Sequence, residues 1–266
     1  MSLEYLYNTR SGRRILKFLV KPGLSDLCGR FLDTGLSKPL IKPFIKKNNI
    51  DMSEYMDEKY TCFNDCFCRR IRPECRPVDM IPDHLPSPCD GLLSAYQIED
   101  DMVIPVKGSK YSIKNLLRDE NLANEFKDGM CLVFRLCVNH YHRYSYPDDG
   151  IKGPNIFIPG VLHTVRPVAL YSEPVFIENS REYTVLNTQN FGRVVQMEVG
   201  AMLVGKISNN QGEGSFIRGS EKGKFLYGGS TIILLLGKNS AKVNSRYFEA
   251  TAEGKETPIK LGESLS

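Results

Sequence analysis

Residues 228–236 have the sequence Gly-Gly-Ser-Thr-Ile-Ile-Leu-Leu-Leu, which places a glycine pair and a serine directly before a short apolar run. An apolar run of this length after turn-forming residues is typical of a buried β-strand. Gly229 has no side chain, so its backbone can adopt conformations closed to other residues and bring the Ser230 hydroxyl close to the preceding carbonyl. Ordinary turns before buried strands contain the same letters, so this segment alone leaves both interpretations open.

The chain after residue 80 alternates short runs rich in Val, Ile, Phe and Leu with clusters of Gly, Pro, Asn and Asp, which predicts a mainly β core. The predicted strands are Met102–Val106, Met130–Val138, Val165–Leu170, Tyr183–Leu186, Val194–Val199, Met202–Ile207 and Thr231–Leu236. One helix is predicted between Ile113 and Phe126, where apolar residues recur at helical spacing. The polar tail after Arg246 is expected to be partly mobile.

The N-terminal arm carries the positive charge of the chain. Residues 1–50 contain ten Lys or Arg and three Asp or Glu, whereas residues 51–266 contain twenty-five and twenty-eight. Apolar residues recur at helical spacing from Leu36 to Ile45, and Lys38, Lys42, Lys46 and Lys47 fall mostly on other faces. Pro39 and Pro43 are expected to shorten or bend this helix. The pattern therefore predicts an α+β fold, with a helical, basic amphipathic arm before a mainly β core.

Two roles for this arm stay open. Its apolar side chains could insert into an anionic bilayer with the lysines near the headgroups, or the same side chains could pack on the main domain. No nucleic-acid-binding motif accompanies the charge, so no nucleic acid partner is expected. No apolar stretch is long enough to span a bilayer and no signal-peptide core is present, so a cytoplasmic location is expected.

Eight cysteines raise the question of a metal site. Cys62, Cys66, Cys68 and Cys75 lie close together in the sequence, but they do not form the paired Cys-x-x-Cys spacing of a zinc site. We therefore expect reduced, buried thiols and no metal.

Residues 218–231 closely resemble the C-terminal cleavage segment of the phosphatidylserine decarboxylase family. Four further segments resemble the family in the same order along the chain. They are Phe63-Asn64-Asp65 with Arg76-Pro77, Ser87-Pro88-Cys89-Asp90-Gly91, Tyr141-His142-Arg143, and Glu198-Val199-Gly200-Ala201. The resemblance covers roughly residues 60 to 240, which is more than one motif supplies by chance.

The resemblance implies a self-processing carboxy-lyase with a mainly β catalytic core, which we place at 61–266. The basic and apolar pattern of the arm, and not the resemblance, predicts a membrane-associating helical region at 1–60. It implies cleavage between Gly229 and Ser230, conversion of Ser230 to a pyruvoyl group, and decarboxylation of phosphatidylserine to phosphatidylethanolamine without pyridoxal phosphate or metal. The resemblance implies that Asp90 belongs to a proton relay of Asp, His and Ser that drives self-cleavage. It implies that His142 protonates the substrate carbon during decarboxylation. The implied partners are an anionic membrane surface on the cytoplasmic face, the second cleaved chain, and a further copy in a homo-oligomer.

The histidine segment departs from the family pattern, which is Asp-Tyr-His-Arg, a variable residue and a second His. This chain has His140 in place of the aspartate and Ser145 in place of the second histidine, and a serine is not a general base near neutral pH. Three outcomes are open. His142 could serve both self-cleavage and decarboxylation, His140 could act as a substitute base in one of them, or the chain could stay uncleaved. We expect cleavage because the cleavage segment is complete. The alternatives are an unprocessed lipid-binding remnant and a decarboxylase of a soluble amino acid.

Overall fold

The computed structural model describes residues 2–99, 103–106, 109–171, 173–201, 206–226 and 230–266. The α-helices are α1 (Leu3–Asn8), α2 (Arg10–Leu19), α3 (Pro22–Leu32), α4 (Ile41–Lys47), α5 (Phe63–Phe67), α6 (Ile113–Leu117), α7 (Glu120–Asn124), α8 (Pro167–Leu170), α9 (Val175–Glu178) and α10 (Ser245–Ala252). The strands are β1 (Gly91–Gln97), β2 (Val103–Val106), β3 (Ser109–Ser112), β4 (Met130–Leu136), β5 (Arg143–Ser145), β6 (Gly150–Ile158), β7 (Arg181–Thr188), β8 (Arg193–Val199), β9 (Ile207–Asn209), β10 (Gly214–Phe216), β11 (Glu221–Phe225), β12 (Ser230–Leu236) and β13 (Thr257–Ile259). The α+β prediction is confirmed.

Strand β12 lies inside an eight-stranded antiparallel sheet with the order β10-β6-β7-β8-β12-β4-β1-β13. Successive side chains of a strand point to opposite faces of the sheet. Ile233 and Leu235 therefore belong to the core on one face, and Ile232 and Leu234 to the core on the other. Because both faces are covered, the strand is apolar along its length, as the run in the sequence predicted.

Different elements cover the two faces. Helices α1, α2 and α6–α9 pack on the first face, and their buried residues form one core with the sheet. On the second face lie a three-stranded sheet of order β5-β11-β9 and helix α10. Strand β11 contains residues 221–225 of the cleavage segment. This part of the segment therefore packs against the large sheet, in which Ser230 begins β12.

Three predictions about secondary structure are wrong. Residues 167–170 form helix α8 rather than a strand, because Pro167 occupies its first turn, where a missing N–H costs nothing. The helix predicted between Ile113 and Phe126 is two helices, α6 and α7, separated at Arg118 with φ at 53°. The tail after Arg246 is ordered: it forms α10 and β13, and Leu265 is fully buried.

The basic arm is less regular than predicted. Residues Gly35–Leu40 form a 3-10 helix that contains Pro39, and α4 follows it. Ile41 is buried, but Leu36 is 78% exposed and Leu40 is 44% exposed, so the apolar positions do not form one covered face. Within the described part of the chain, no helix has the length and apolarity needed to cross a membrane. The predicted strands Met102–Val106 and Met202–Ile207 fall partly outside the described residues.

A buried ion pair joins the small sheet to the large one. Lys222 on β11 donates to both carboxylate oxygens of Glu198 on β8, at 2.8 and 2.9 Å, and both side chains are fully buried. Lys222 also donates to Asn209 Oδ1 on β9 at 3.0 Å. Since β11 lies within the cleavage segment, this ion pair fixes that part of the segment against β8.

We expect Lys222→Met to lower the free energy of unfolding by about 3–5 kcal/mol, because it leaves the Glu198 charge buried without its partner. Adding Glu198→Leu should recover part of this loss, since an apolar pair avoids the desolvation cost. Urea unfolding measures both effects, with Ser230→Ala in every variant so that the covalent chain is the same. The control is Lys114→Met at the exposed Lys114–Glu120 pair, where the loss should stay below about 1 kcal/mol. If Lys222→Met and Lys114→Met lowered the free energy of unfolding equally, the Lys222–Glu198 pair would not have the stabilising role described above.

Candidate active site

Three neighbouring strands bring the candidate residues to one end of the large sheet. Ser230 begins β12 opposite Leu136, the last residue of β4, and Leu92 of β1 lies opposite Arg135. Asp90 directly precedes β1. Because paired strands lie about 4.8 Å apart, the backbones at Asp90 and Ser230 are roughly 10 Å apart, with β4 between them. The chain that leaves β4 carries His140 and His142, so all four residues lie at this end.

Ser230 is almost completely buried, with 1% of its surface exposed. Its backbone is fixed in the sheet, and among the described residues its Oγ has no hydrogen-bond partner. A buried hydroxyl without a partner costs free energy, and such groups in native proteins often belong to functional sites. Gly229, on the other side of the predicted cleavage bond, lies outside the described residues.

Asp90 is held by an arginine. Arg76 Nε and Nη2 donate to the two carboxylate oxygens of Asp90, each at 2.8 Å, and the backbone N–H of Leu261 donates to Oδ1 at 2.8 Å. Arg76 Nη2 also donates to Glu54 at 3.0 Å. In the described part of the chain, the hydrogen bonds to Asp90 come from Arg76 and Leu261 and not from either histidine.

His140 shares a cavity of about 360 Å³ with Asp90 and Arg76. The backbone N–H of Cys137 donates to His140 Nδ1 at 3.1 Å, so the neutral imidazole carries its proton on Nε2. Burial lowers the pKa of His140; the nearby Asp90 charge opposes this shift, and Arg135 and Arg76 add to it. His140 is therefore a neutral N–H donor at neutral pH rather than a base in this tautomer.

His142 has the opposite tautomer. Its Nδ1 lies 2.9 Å from the carbonyl oxygen of His140, which only accepts, so Nδ1 carries the proton and the lone pair of the neutral ring is on Nε2. The ring is fully buried and lies against Phe67, with centroids 4.1 Å apart. The N–H of Phe225 donates to the carbonyl of His142 at 2.9 Å. His142 is thus attached directly to the segment that leads to Ser230.

Two buried arginines support the site. Arg69 Nη2 donates to the carbonyl of Asn139 at 3.1 Å and to the hydroxyl of Tyr55 at 3.0 Å, and so holds the turn that carries His140. Arg76 belongs to a segment that the sequence singled out, but its pairing with Asp90 was not predicted. Nothing in the sequence of the polar tail pointed to the N–H of Leu261.

Ser145 lies beside the segment that contains Asp90. Its N–H donates to the carbonyl of Pro88 at 2.8 Å, and its Oγ lies 3.5 Å from the same oxygen. The structure therefore places Asp90 and His140 in one cavity. Ser145 is hydrogen-bonded to Pro88, which lies two residues before Asp90 in the chain. His142 and Ser230 are buried and do not line that cavity.

The cysteines of the predicted thiol cluster are free. Burial raises the pKa of the Cys66 thiol to about 11 and that of Cys68 to about 12, so both remain protonated at neutral pH. A protonated thiol is a poor metal ligand and a poor nucleophile.

The two histidines should show different tautomers in solution. In long-range ¹H–¹⁵N spectra of the ¹⁵N-labelled protein, we expect the Nδ1–H form for His142 and the Nε2–H form for His140. Titration should give His140 a pKa below its ordinary value of about 6.5. His142→Gln and His140→Gln assign the signals. The same tautomer at both positions would contradict the hydrogen bonds described above.

Comparison with known proteins gives matches along nearly the whole chain. A model of the phosphatidylserine decarboxylase family matches residues 63–265. The chain is 45% identical to phosphatidylserine decarboxylase proenzyme 2 of Clostridium acetobutylicum, over 99% of this chain and 90% of the relative. It is 40% identical to the phosphatidylserine decarboxylase proenzymes of Clostridium perfringens, over 99% and 92%, and of Ruminiclostridium cellulolyticum, over 99% and 90%. The matched range of the family includes Asp90, both histidines and Ser230.

Proposed function

The chain belongs to the phosphatidylserine decarboxylase family of carboxy-lyases, and we propose that it cleaves its own backbone between Gly229 and Ser230 and then decarboxylates phosphatidylserine. The proposed products are phosphatidylethanolamine and carbon dioxide. The observation that most supports self-cleavage is the Ser230 hydroxyl, which is buried at the start of a central strand and has no hydrogen-bond partner among the described residues.

In the proposed cleavage, Ser230 Oγ attacks the carbonyl carbon of Gly229, a base takes the hydroxyl proton, and an ester replaces the peptide bond. Removal of the Ser230 Cα proton then expels the Gly229 carboxylate, and hydrolysis of the resulting dehydroalanine releases ammonia. The pyruvoyl group that remains supplies an electron sink for decarboxylation, a task that pyridoxal phosphate performs in other enzymes, and no metal is required.

We assign the base to His142. Its lone pair is on Nε2, its ring is fixed by Phe67, and its carbonyl accepts from the N–H of Phe225 in the cleavage segment. His140 supports it, because the His140 carbonyl accepts the Nδ1 proton and so selects this tautomer. Asp90 contributes by holding Arg76 and the C-terminal tail at the same end of the sheet. In decarboxylation, His142 in its protonated form returns a proton to carbon.

The two chains made by cleavage are proposed to remain associated. Residues 230–266 supply β12, which is paired with β8 and β4, and β13, which is paired with β1. Separation would break these pairings and expose apolar side chains on both faces of β12. The assembly into a larger homo-oligomer stays a prediction.

Cleavage is tested by the intact mass of the purified chain. We expect two fragments, residues 1–229 and residues 230–266, with the smaller one blocked by a pyruvoyl group. Ser230→Ala should give a single unbroken mass, because the attacking oxygen is missing. Thr231→Val is the matched control: it removes the adjacent buried hydroxyl with little change of shape, and cleavage should persist.

The same assay separates the roles of the histidines. His142→Gln should leave the chain whole. His140→Gln should slow cleavage without abolishing it, because it removes the bond from the Cys137 N–H that holds the turn but keeps the His140 carbonyl that orients His142. An unbroken mass for the unaltered chain would instead favour the unprocessed lipid-binding remnant. If His142→Gln cleaves at the normal rate, the assignment of the base is wrong.

The arm offers a surface suited to an anionic membrane. An apolar groove of about 490 Å³ lies between α3, α4 and Phe63. It is lined by Leu27, Cys28, Phe31, Leu32, Leu40, Phe44 and Phe63. Several of these side chains are exposed, and the four lysines from Lys38 to Lys47 are exposed beside them. Exposed apolar and basic side chains on one segment favour binding to the interface of an anionic bilayer, and we propose that the arm brings the site to the cytoplasmic face of the membrane.

Vesicle binding tests this role. The chain should bind vesicles of phosphatidylcholine with phosphatidylserine and not vesicles of phosphatidylcholine alone. Changing Lys38, Lys42, Lys46 and Lys47 together to Gln should weaken binding by about 1 kcal/mol per lysine at low salt. A control with the same net charge changes Lys114, Lys127, Lys238 and Lys255 to Gln, and it should bind normally. Equal weakening by both sets would show that only net charge matters. Turnover of free serine without vesicles would support the soluble amino acid alternative.

A further inference from the structure

A histidine and two glutamates meet on the helical side of the sheet, away from the site described above. His163 follows β6, Glu173 precedes α9, and Glu178 is the last residue of α9. One potential ligand atom from each of these residues lies within 4.8 Å of the others, and His163 Nε2 is 3.4 Å from Glu178 Oε2. Two ligands of a tetrahedral zinc ion, each about 2.1 Å from the metal, are also about 3.4 Å apart.

His163 is held firmly from behind. The backbone N–H of His163 donates to Asn179 Oδ1 at 2.8 Å, and Asn179 Nδ2 donates to the backbone carbonyl of His163 at 2.8 Å. The hydroxyl of Tyr7, on α1, lies 3.1 Å from Nδ1, so this nitrogen is already engaged and Nε2 faces Glu178. Metal-bound histidines usually have such a partner on the second ring nitrogen, because it fixes the ring and its tautomer.

The electrostatics of the cluster suit a divalent cation. Glu173 and Glu178 each place a carboxylate oxygen within 4.8 Å of the other, so their negative charges repel each other. Among the ion pairs of the described residues, neither glutamate is paired with a lysine or arginine. A bound cation would remove this repulsion.

We propose that His163, Glu173 and Glu178 bind a divalent metal ion of the zinc class, with water in the remaining position. One imidazole and two carboxylates form a set of nitrogen and oxygen ligands that zinc accepts. The ion joins the loop before α9 to the segment after β6, and through Tyr7 it steadies α1 on the core. Its role is structural, and the proposal is independent of self-cleavage at Ser230.

Isothermal titration of the metal-free, full-length chain with Zn²⁺ tests the site. We expect one equivalent of Zn²⁺ to bind and to raise the melting temperature. Glu173→Gln and Glu178→Gln should each weaken that binding at least about tenfold. Both side chains are partly exposed, so these variants should fold, and circular dichroism checks that they do. The matched control is Asp79→Asn, which alters the other carboxylate–histidine pair, Asp79–His84, and should leave the titration unchanged.

The cysteines are the competing zinc ligands. Co²⁺ in place of Zn²⁺ separates the two, because thiolate coordination gives an intense charge-transfer band that nitrogen and oxygen ligands lack. The proposal expects a cobalt spectrum without that band, lost in the Glu173→Gln/Glu178→Gln double variant. Zinc affinity unchanged in the double variant, or a thiolate band in the unaltered chain, would overturn it.

Discussion

Strand β12 is hydrogen-bonded along both of its edges, and the position of the site depends on this constraint. Ser230 is the first residue of the strand, so its backbone is fixed by pairing to β4 and not by a surface loop. The covered faces of the sheet leave the strand no freedom to shift, because a slip of one residue would turn every side chain to the wrong core. The hydroxyl is therefore held in one place relative to the turn that carries the histidines.

The C-terminal segment takes part in the site as well as in the sheet. The N–H of Leu261 donates to the Asp90 carboxylate, and Arg76 binds the same group from the other side. Asp90 thus joins the N-terminal part of the chain to the part that follows Ser230. A break in the backbone before Ser230 leaves this connection intact, so the geometry around Asp90 does not depend on an unbroken chain.

Local patterns in the sequence predicted part of this structure. The apolar run at 231–236 correctly predicted strand β12, since a short apolar run bounded by glycines is typical of a buried strand. The run at 165–170 was predicted as a strand but is a helix, because composition alone cannot separate a short buried strand from a helical turn that begins at a proline. The ordered structure of the C-terminal tail and the cluster around His163 depend on contacts between distant segments of the chain. Local sequence patterns do not predict such contacts. The tautomers of the histidines depend on single hydrogen bonds to backbone groups.

The family pattern that the sequence resembles predicts a second histidine where this chain has Ser145, and this difference changes what a proton relay at this site can be. Among the described residues, Asp90 accepts from Arg76 and Leu261, and its carboxylate does not orient an imidazole. For His142 that task falls to the carbonyl oxygen of His140, which accepts the Nδ1 proton. A carbonyl dipole stabilises an imidazolium less than a full negative charge does, so the proposed base, His142, lacks the charge stabilisation that a carboxylate partner provides. Burial of the ring against Phe67 compensates through fixed geometry, because a base that is already oriented loses little entropy in the reaction. Self-cleavage by this chain would then depend on position more than on basicity.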